Sequence, residues 1–273
     1  MFLRIRYIIA KSLGDLLSRV RLNVLEKHED IGGTHYLKKR RWYTVPLIIA
    51  SNVYLRISRT HVHFLSRSKW LLWEHQVYKE ILGKESQISD KHTLVLPKLE
   101  GVTLSDILRS KNECDVRKID AVGWAIRAIE TMHKCQIIWP DGEKRAFSHG
   151  DAKVGNIVCD LISKTCYFLD YETIHDVRMP SEWRQSDDLR AIIYSAAEYI
   201  EPHLLNQLCR MAVRNYSNRA VLAQLKNYIE MLKLCPNVYH FTQGLLGFAK
   251  KVSLDAILLR ELGIALNNLD RQG

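Results

Sequence analysis

The sequence lacks paired cysteines at metal-ligand spacing, an apolar run of membrane-spanning length, internal repeats and low-complexity tracts. The first absence excludes zinc-finger and zinc-ribbon sites, which need closely spaced ligand pairs. The six cysteines (Cys114, Cys135, Cys159, Cys166, Cys209, Cys235) then read as buried thiols in a reducing compartment. The second absence points to a soluble or peripheral chain, and the apolar stretch near the start, Tyr7–Ala10, is too short for a signal-peptide core. The expected location is cytoplasmic, with peripheral contact at the inner membrane face as a further option. Acid is also scarce relative to base: 30 Asp and Glu face 40 Lys and Arg, a net charge of +10. That excess favours an anionic partner such as a nucleotide, a phosphorylated glycan, a membrane surface or a nucleic acid. Nucleic acid is the weakest of these, because the interleaved aromatic motif of an RNA-binding sheet is missing.

What the chain does carry is concentrated between Phe147 and His175. His149-Gly150-Asp151-x-Lys153-x-x-Asn156 runs into the apolar segment Ile157–Cys159, and Cys166–Leu169 leads to Asp170-Tyr171-Glu172. The polar connector between the two segments reads as a hairpin turn. Such a hairpin brings Asp151, Lys153 and Asn156 to the same end as Asp170. Two carboxylates, an amide and a lysine gathered there can hold a divalent cation and orient a hydroxyl beside a phosphate.

These motifs resemble the catalytic and metal loops of protein-kinase-like phosphotransferases. The His-Gly-Asp form is closest to lipopolysaccharide core kinases and aminoglycoside phosphotransferases. The resemblance implies an α+β, bilobal fold with a small β-rich N-lobe and a larger helical C-lobe. It implies ATP and Mg²⁺ as cofactors, Asp151 as the base for the acceptor hydroxyl, and Asn156 and Asp170 as metal ligands. Lys153 is the expected clamp on the transferring phosphate, and His149 is expected to pack beneath the loop. One of Asp187 and Asp188 is expected to hold the catalytic-loop backbone; as a plain alternative, the pair fits a helix N-terminus.

The remaining chain is read around that centre, as an extension over 1–30, an N-lobe over 31–96 and a C-lobe over 97–273. In residues 1–26, Phe2, Ile5, Ile9, Leu13, Leu16, Val20 and Val24 share a helical face among basic residues. That helix can contact an anionic membrane or dock on its own domain. Ile31-Gly32-Gly33-Thr34 reads as an ordinary turn, with a phosphate-covering turn as the other option. Thr44–Ala50 and Val53–Ser58 read as a β-hairpin, which puts Arg56 where the resembled family carries a phosphate-binding lysine. Glu74, on a helix with Trp70, Trp73 and Val77, is the expected partner of Arg56. Leu96, Lys98 and Leu99, around Pro97, suit an interlobe hinge that meets the adenine. Val116–Ile137 reads as a helix, Trp139–Arg145 as a surface loop, and His133 as a packed residue rather than a catalyst.

Residues 171–186 leave little room for a long peptide-binding segment, and no Ala-Pro-Glu follows. The expected acceptor is therefore a hydroxyl on a small molecule or an anionic glycolipid. The alternative is a pseudokinase or nucleotide-binding scaffold, suggested by arginine at position 56 and by the poor match of Ile31-Gly32-Gly33-Thr34 to a Gly-rich loop.

Overall fold

The computed structural model describes residues 22–30, 33–57, 60–234 and 252–270. Strands β1 (Asn23–Asp30) and β2 (Gly33–Arg40) pair antiparallel, with Asn23 opposite Arg40 and Asp30 opposite Gly33. Strand β5 (Thr93–Pro97) pairs with β2, and β4 (Gln87–Asp90) closes a four-stranded sheet in the order β1-β2-β5-β4. The pleat decides the fate of a basic run here. Lys38 and Arg40 are buried on one face, whereas Lys39 and Arg41 are exposed.

Two expectations are corrected in this region. Residues 23–26 belong to strand β1, so the expected helix over 1–26 does not reach Val24, and the expected boundary at residue 30 falls at the end of a sheet strand. Residues 1–21, with the rest of that helix and its membrane contact, lie outside the described residues. Asp30 and Gly33 face each other at the end of this strand pair, and residues 31–32, with the turn expected there, lie outside the described residues.

The expected hairpin over 44–58 is a helix, α1 (Val45–Ile57). Pro46 sits in its first turn, where a missing N–H costs nothing. Ile48, Tyr54 and Leu55 are buried, while Val45, Ile49 and Val53 are exposed, so apolar residues ring the helix and mask its period. Strand β3 (Val62–Phe64) follows and pairs with β11 (Thr173–His175). Asn52 ties α1 to β3, its amide donating to the Phe64 carbonyl (2.9 Å) and accepting from the Phe64 N–H (2.7 Å). Helix α2 (Arg67–Glu80) buries Trp70, Trp73 and Val77 on one face, as their spacing requires.

The rest is largely helical. Strand β6 (Val102–Thr103) leads into α3 (Leu104–Arg109), whose first turn is capped by Thr103 Oγ1 accepting from the Asp106 N–H. Helix α4 (Asp115–His133) ends before the expected Ile137. Residues 136–138 instead form β7 (Gln136–Ile138), paired with β8 (Lys144–Ala146). The stretch expected as a surface loop is thus the tip of a hairpin, anchored by Trp139, which is buried against Trp73 and the Arg184 guanidinium. Strands β9 (Ile157–Asp160) and β10 (Thr165–Phe168) form the expected hairpin, with β6 on the far edge of β9. Helices α5 (Ser181–Ala197), α6 (Leu205–Arg214), α7 (Arg219–Leu234) and α8 (Val252–Asp270) complete the fold.

The main core joins α4 (Ile119, Val122, Ile126, Ile129) to α5 (Leu189, Ile192, Ile193) beneath β9 and β10. No helix among the described residues is long and apolar enough to cross a membrane. The cysteine reading changes. Cys159 and Cys166 face each other across β9 and β10 and are disulfide-bonded, Cys114 is exposed, Cys135 is half-buried, and only Cys209 is a buried thiol among the described residues. Cysteine usage therefore no longer argues for a reducing compartment.

Candidate active site

The β9–β10 hairpin sets the geometry. A short 3₁₀ turn, Val154–Asn156, delivers Asn156 at the start of β9, and the Leu169 N–H donates to the Asn156 carbonyl at 2.8 Å. Asp170 thus emerges beside Asn156. His149 lies beneath both loops, buried against Tyr171 and Phe168. Its Nδ1 accepts from the Asp151 N–H (3.2 Å), so the ring proton is on Nε2, which donates to the Leu169 carbonyl (3.0 Å). Burial lowers the His149 pKa and keeps the ring neutral. The histidine is a strut between the two loops.

Asp188 on α5 holds the loop from below. Its carboxylate accepts from the His149 N–H (2.6 Å) and the Gly150 N–H (2.9 Å), and His133 Nε2 adds a contact at 3.0 Å. His133 is packed, its Nδ1 being 2.7 Å from the Tyr216 hydroxyl. The neighbouring Asp187 bonds Arg190 and His175 instead. Neither aspartate caps α5, which begins at Ser181, so the helix-terminus alternative fails. Gly150 has φ +87°, and a Cβ there would come within 3.0 Å of Ile174 Cα and 3.1 Å of the Thr173 carbonyl. Gly150→Ala should lower unfolding stability by roughly 2 kcal/mol through backbone strain. Urea denaturation checks this, and a change under 0.5 kcal/mol (about the surface-substitution range) would contradict it.

Asp151 stands at the mouth of the loop. Lys153 Nζ donates to its Oδ2 at 2.7 Å, and the Asn156 amide donates to its carbonyl oxygen and its Oδ2, both at 2.9 Å. Asp151 is also the main reason the Lys153 pKa is raised. Asn156 uses its N–H donors on Asp151, which leaves its carbonyl oxygen for a cation.

Across the cleft the structure assigns the central cation to a residue the sequence reading passed over. Lys38 Nζ contacts Glu74 Oε1 and Oε2, each at 2.9 Å, and Asp170 Oδ1 at 2.7 Å. Burial alone would lower the Lys38 pKa, but Asp170 and Glu74 outweigh it and raise it, so the ammonium stays charged. Trp70 Nε1–H also donates to Glu74 Oε2. Arg56 does not take this place. It lies near the end of α1, is exposed, and is not among the residues lining the cleft. The expected Arg56–Glu74 pair is therefore replaced by Lys38–Glu74. Strand alternation through Tyr36, Lys38 and Arg40 was the available signal, obscured because Lys38-Lys39-Arg40-Arg41 looks like a solvated charge run.

Glu172 is tied to the sheet, its Oε2 accepting from Asn23 Nδ2 (2.7 Å) and Arg40 Nη2 (2.9 Å). Arg40 stacks on Trp70 and also donates to the Leu65 carbonyl (2.7 Å). Burial and the nearby Asp170 push the Glu172 pKa up to about 7, against the pull of Lys38 and Arg40. Asp170 has φ +67°, a left-handed conformation uncommon outside glycine.

Lys38, Glu74, Asp151, Lys153, Asn156, Asp170 and Glu172 line one cleft of about 850 Å³. Leu25, Tyr36, Leu96, Leu99 and Val158 line an apolar slot, with Pro97 and Lys98 at its edge. The Lys98 ammonium turns to Glu100 (3.0 Å), while its N–H donates to the Thr34 carbonyl (3.3 Å). Gly101, at φ +129°, lets the chain pass against the Cys159 carbonyl, where a Cβ would collide. Among the described residues no trio of His, Cys, Asp and Glu gathers as a metal site. An Asn156–Asp170 oxygen pair still fits Mg²⁺, which commonly takes one or two protein carboxylates with water and phosphate.

No family model matches the chain, and no curated protein matches it in sequence. Among solved structures, it is similar to the complex of Rv3197 with erythromycin from Mycobacterium tuberculosis. That match has 13% identity and a TM-score of 0.39, over 92% of this chain and 72% of that one. A likeness that faint says nothing about function.

Proposed function

We propose that this protein is an ATP-dependent phosphotransferase with a two-lobed, protein-kinase-like arrangement, acting on an alcohol hydroxyl. The observation that carries the reading is the bridge from Lys38 and Glu74 to Asp170, which stands beside Asn156 in the cleft that Asp151 also lines. A buried lysine held by two carboxylates beside a slot of nucleotide size supports phosphate binding. In the reading, the adenine occupies the slot against Leu96, Lys98 and Leu99, and Lys38 meets the α- and β-phosphates. Asn156 and Asp170 would hold Mg²⁺, which when bound would supply charge neutralisation at the phosphate oxygens. Asp151 accepts the proton of the acceptor hydroxyl as its oxygen attacks the γ-phosphorus. The bond to the bridging oxygen breaks and ADP leaves, while Lys153 offsets the equatorial charge.

The rival reading, a nucleotide-binding scaffold, draws on arginine in place of the phosphate lysine and on the poor Gly-rich loop. Lys38 answers the first ground, and residues 31–32 of the loop lie outside the described residues. A peptide acceptor is disfavoured because β11, directly after the metal loop, already pairs with β3 and offers β3's side no free edge. Asp151→Asn tests the reading. Transfer from Mg·ATP should fall at least ~100-fold while Mg·ATP affinity stays within about threefold. Transfer undiminished in that variant would remove Asp151 as the base.

A further inference from the structure

The lining of the cleft extends beyond the residues assigned to the nucleotide and phosphates, and part of its wall is built by a segment the phosphate site does not require. Residues 41–66 intervene between Lys38 and the helix carrying Glu74, and they contribute Ser51, Tyr54 and Leu55 from α1 and Val62 and Phe64 from β3 to the lining. Tyr54, Leu55, Val62 and Phe64 pack as a small apolar cluster separate from the main core. The Asn52 clip to Phe64 and the β3–β11 pairing hold this wall in place. The Leu65 N–H, donating to the Glu172 carbonyl at 2.9 Å, joins it directly to the metal loop. The wall therefore shares one cavity with Asp151, Lys153 and Glu172.

The charge at the cleft differs from that of the whole chain. Among the described residues, three lysines (Lys38, Lys98, Lys153) and four carboxylates (Glu74, Asp151, Asp170, Glu172) line the cleft, so their charge there is not positive. Lys38 and Lys153 are already paired. Among the described residues an anionic acceptor group would find little cation to meet it. Thr173 belongs to the same wall, but its hydroxyl is buried behind the surface without a hydrogen-bond partner and is not presented to the cleft.

Resting on the phosphotransferase reading, we infer that the acceptor is an uncharged amphiphilic alcohol. Its hydroxyl meets Asp151, and its hydrocarbon part lies against Leu55, Val62 and Phe64. The anionic-glycolipid expectation is thereby narrowed: an apolar body, rather than negative charge, is what the site selects.

The test compares octyl β-D-glucopyranoside, below its aggregation concentration, with glucose, using the full chain. The two share sugar hydroxyls and differ in the apolar body. Each buried methylene is worth roughly fourfold in affinity, so burying several should favour octyl glucoside by at least ~30-fold. Binding without nucleotide is measured by calorimetry, and phosphoryl transfer from Mg·ATP is measured separately as kcat/KM. Phe64→Ala should cut the preference at least ~5-fold. The variant is checked for folding by circular dichroism. Equal binding of the two sugars, or a preference unchanged in a folded Phe64→Ala, overturns the inference whether or not ATP turns over. Selective octyl glucoside binding that Phe64→Ala weakens, with no transfer to any acceptor, upholds the apolar site and strikes the phosphotransferase reading instead.

Discussion

Replacing Lys38 with methionine should lower ATP turnover by roughly 10²–10³-fold, the usual cost of deleting one preorganised group that stabilises phosphate charge. The same change leaves Glu74, which has no solvent exposure, with Trp70 as its remaining donor. Breaking a buried pair commonly costs about 3–5 kcal/mol. Burial already pushes the Glu74 pKa up, so the orphaned carboxylate takes up a proton, and the loss should fall near the lower end, about 3 kcal/mol. Pairing Lys38→Met with Glu74→Gln should recover most of that stability and none of the turnover. Arg56→Ala should change turnover by less than about twofold and stability by less than about 0.5 kcal/mol, as for an ordinary surface site. Turnover assays and urea denaturation on the four proteins check all of this. Arg56→Ala matching Lys38→Met in lost turnover would contradict the assignment of the central cation.

Asp170→Asn separates function from stability more sharply. Asp170 lies close enough to Glu74 and Glu172 to raise both their pKa values, so three carboxylates share Lys38 and Arg40. Asparagine tolerates the left-handed backbone about as well as aspartate, and Lys38 keeps Glu74 as its partner. Against its burial, Lys38 holds the Asp170 pKa below the usual carboxylate range, so this charge favours the fold, and its loss should cost about 1 kcal/mol, limited by the relieved repulsion on Glu74 and Glu172. Turnover should fall at least ~1,000-fold, because the metal loses its anionic ligand. A variant that stays active while losing that stability would make Asp170 a structural residue.

The wall that carries Asp151 was legible because its residues are close in sequence and joined by a hairpin. His149, Asp151 and Asn156 lie just before β9 and Asp170 just after β10, and the pairing of those strands suffices to bring them together. The opposite wall depends on burial that the sequence hides. Lys38 sits in a run of four basic residues, and only the sheet's inner face distinguishes it from Lys39. Helix α1 is rich in β-branched residues and apolar on both sides, so its pattern imitates strands. Pro46 at its start was the overlooked helix signal. The break at Ser51-Asn52 misled in the same way, since both are mid-helix and make specific bonds. Ser51 bonds back to the Leu47 carbonyl, and Asn52 to Phe64. The hairpin at 136–146 was missed because Trp139 is buried by partners remote in sequence, Trp73 and Arg184.

The central claim, that Lys38, Asp170 and Asn156 form a metal-dependent nucleotide site, is tested most directly by calorimetric titration of ATP into the protein with and without Mg²⁺. The account predicts Mg²⁺-dependent binding that is retained in Asp151→Asn and Arg56→Ala and weakened at least ~10-fold in Lys38→Met and Asp170→Asn. ATP binding that is absent, indifferent to Mg²⁺, or unchanged in Lys38→Met and Asp170→Asn would contradict it.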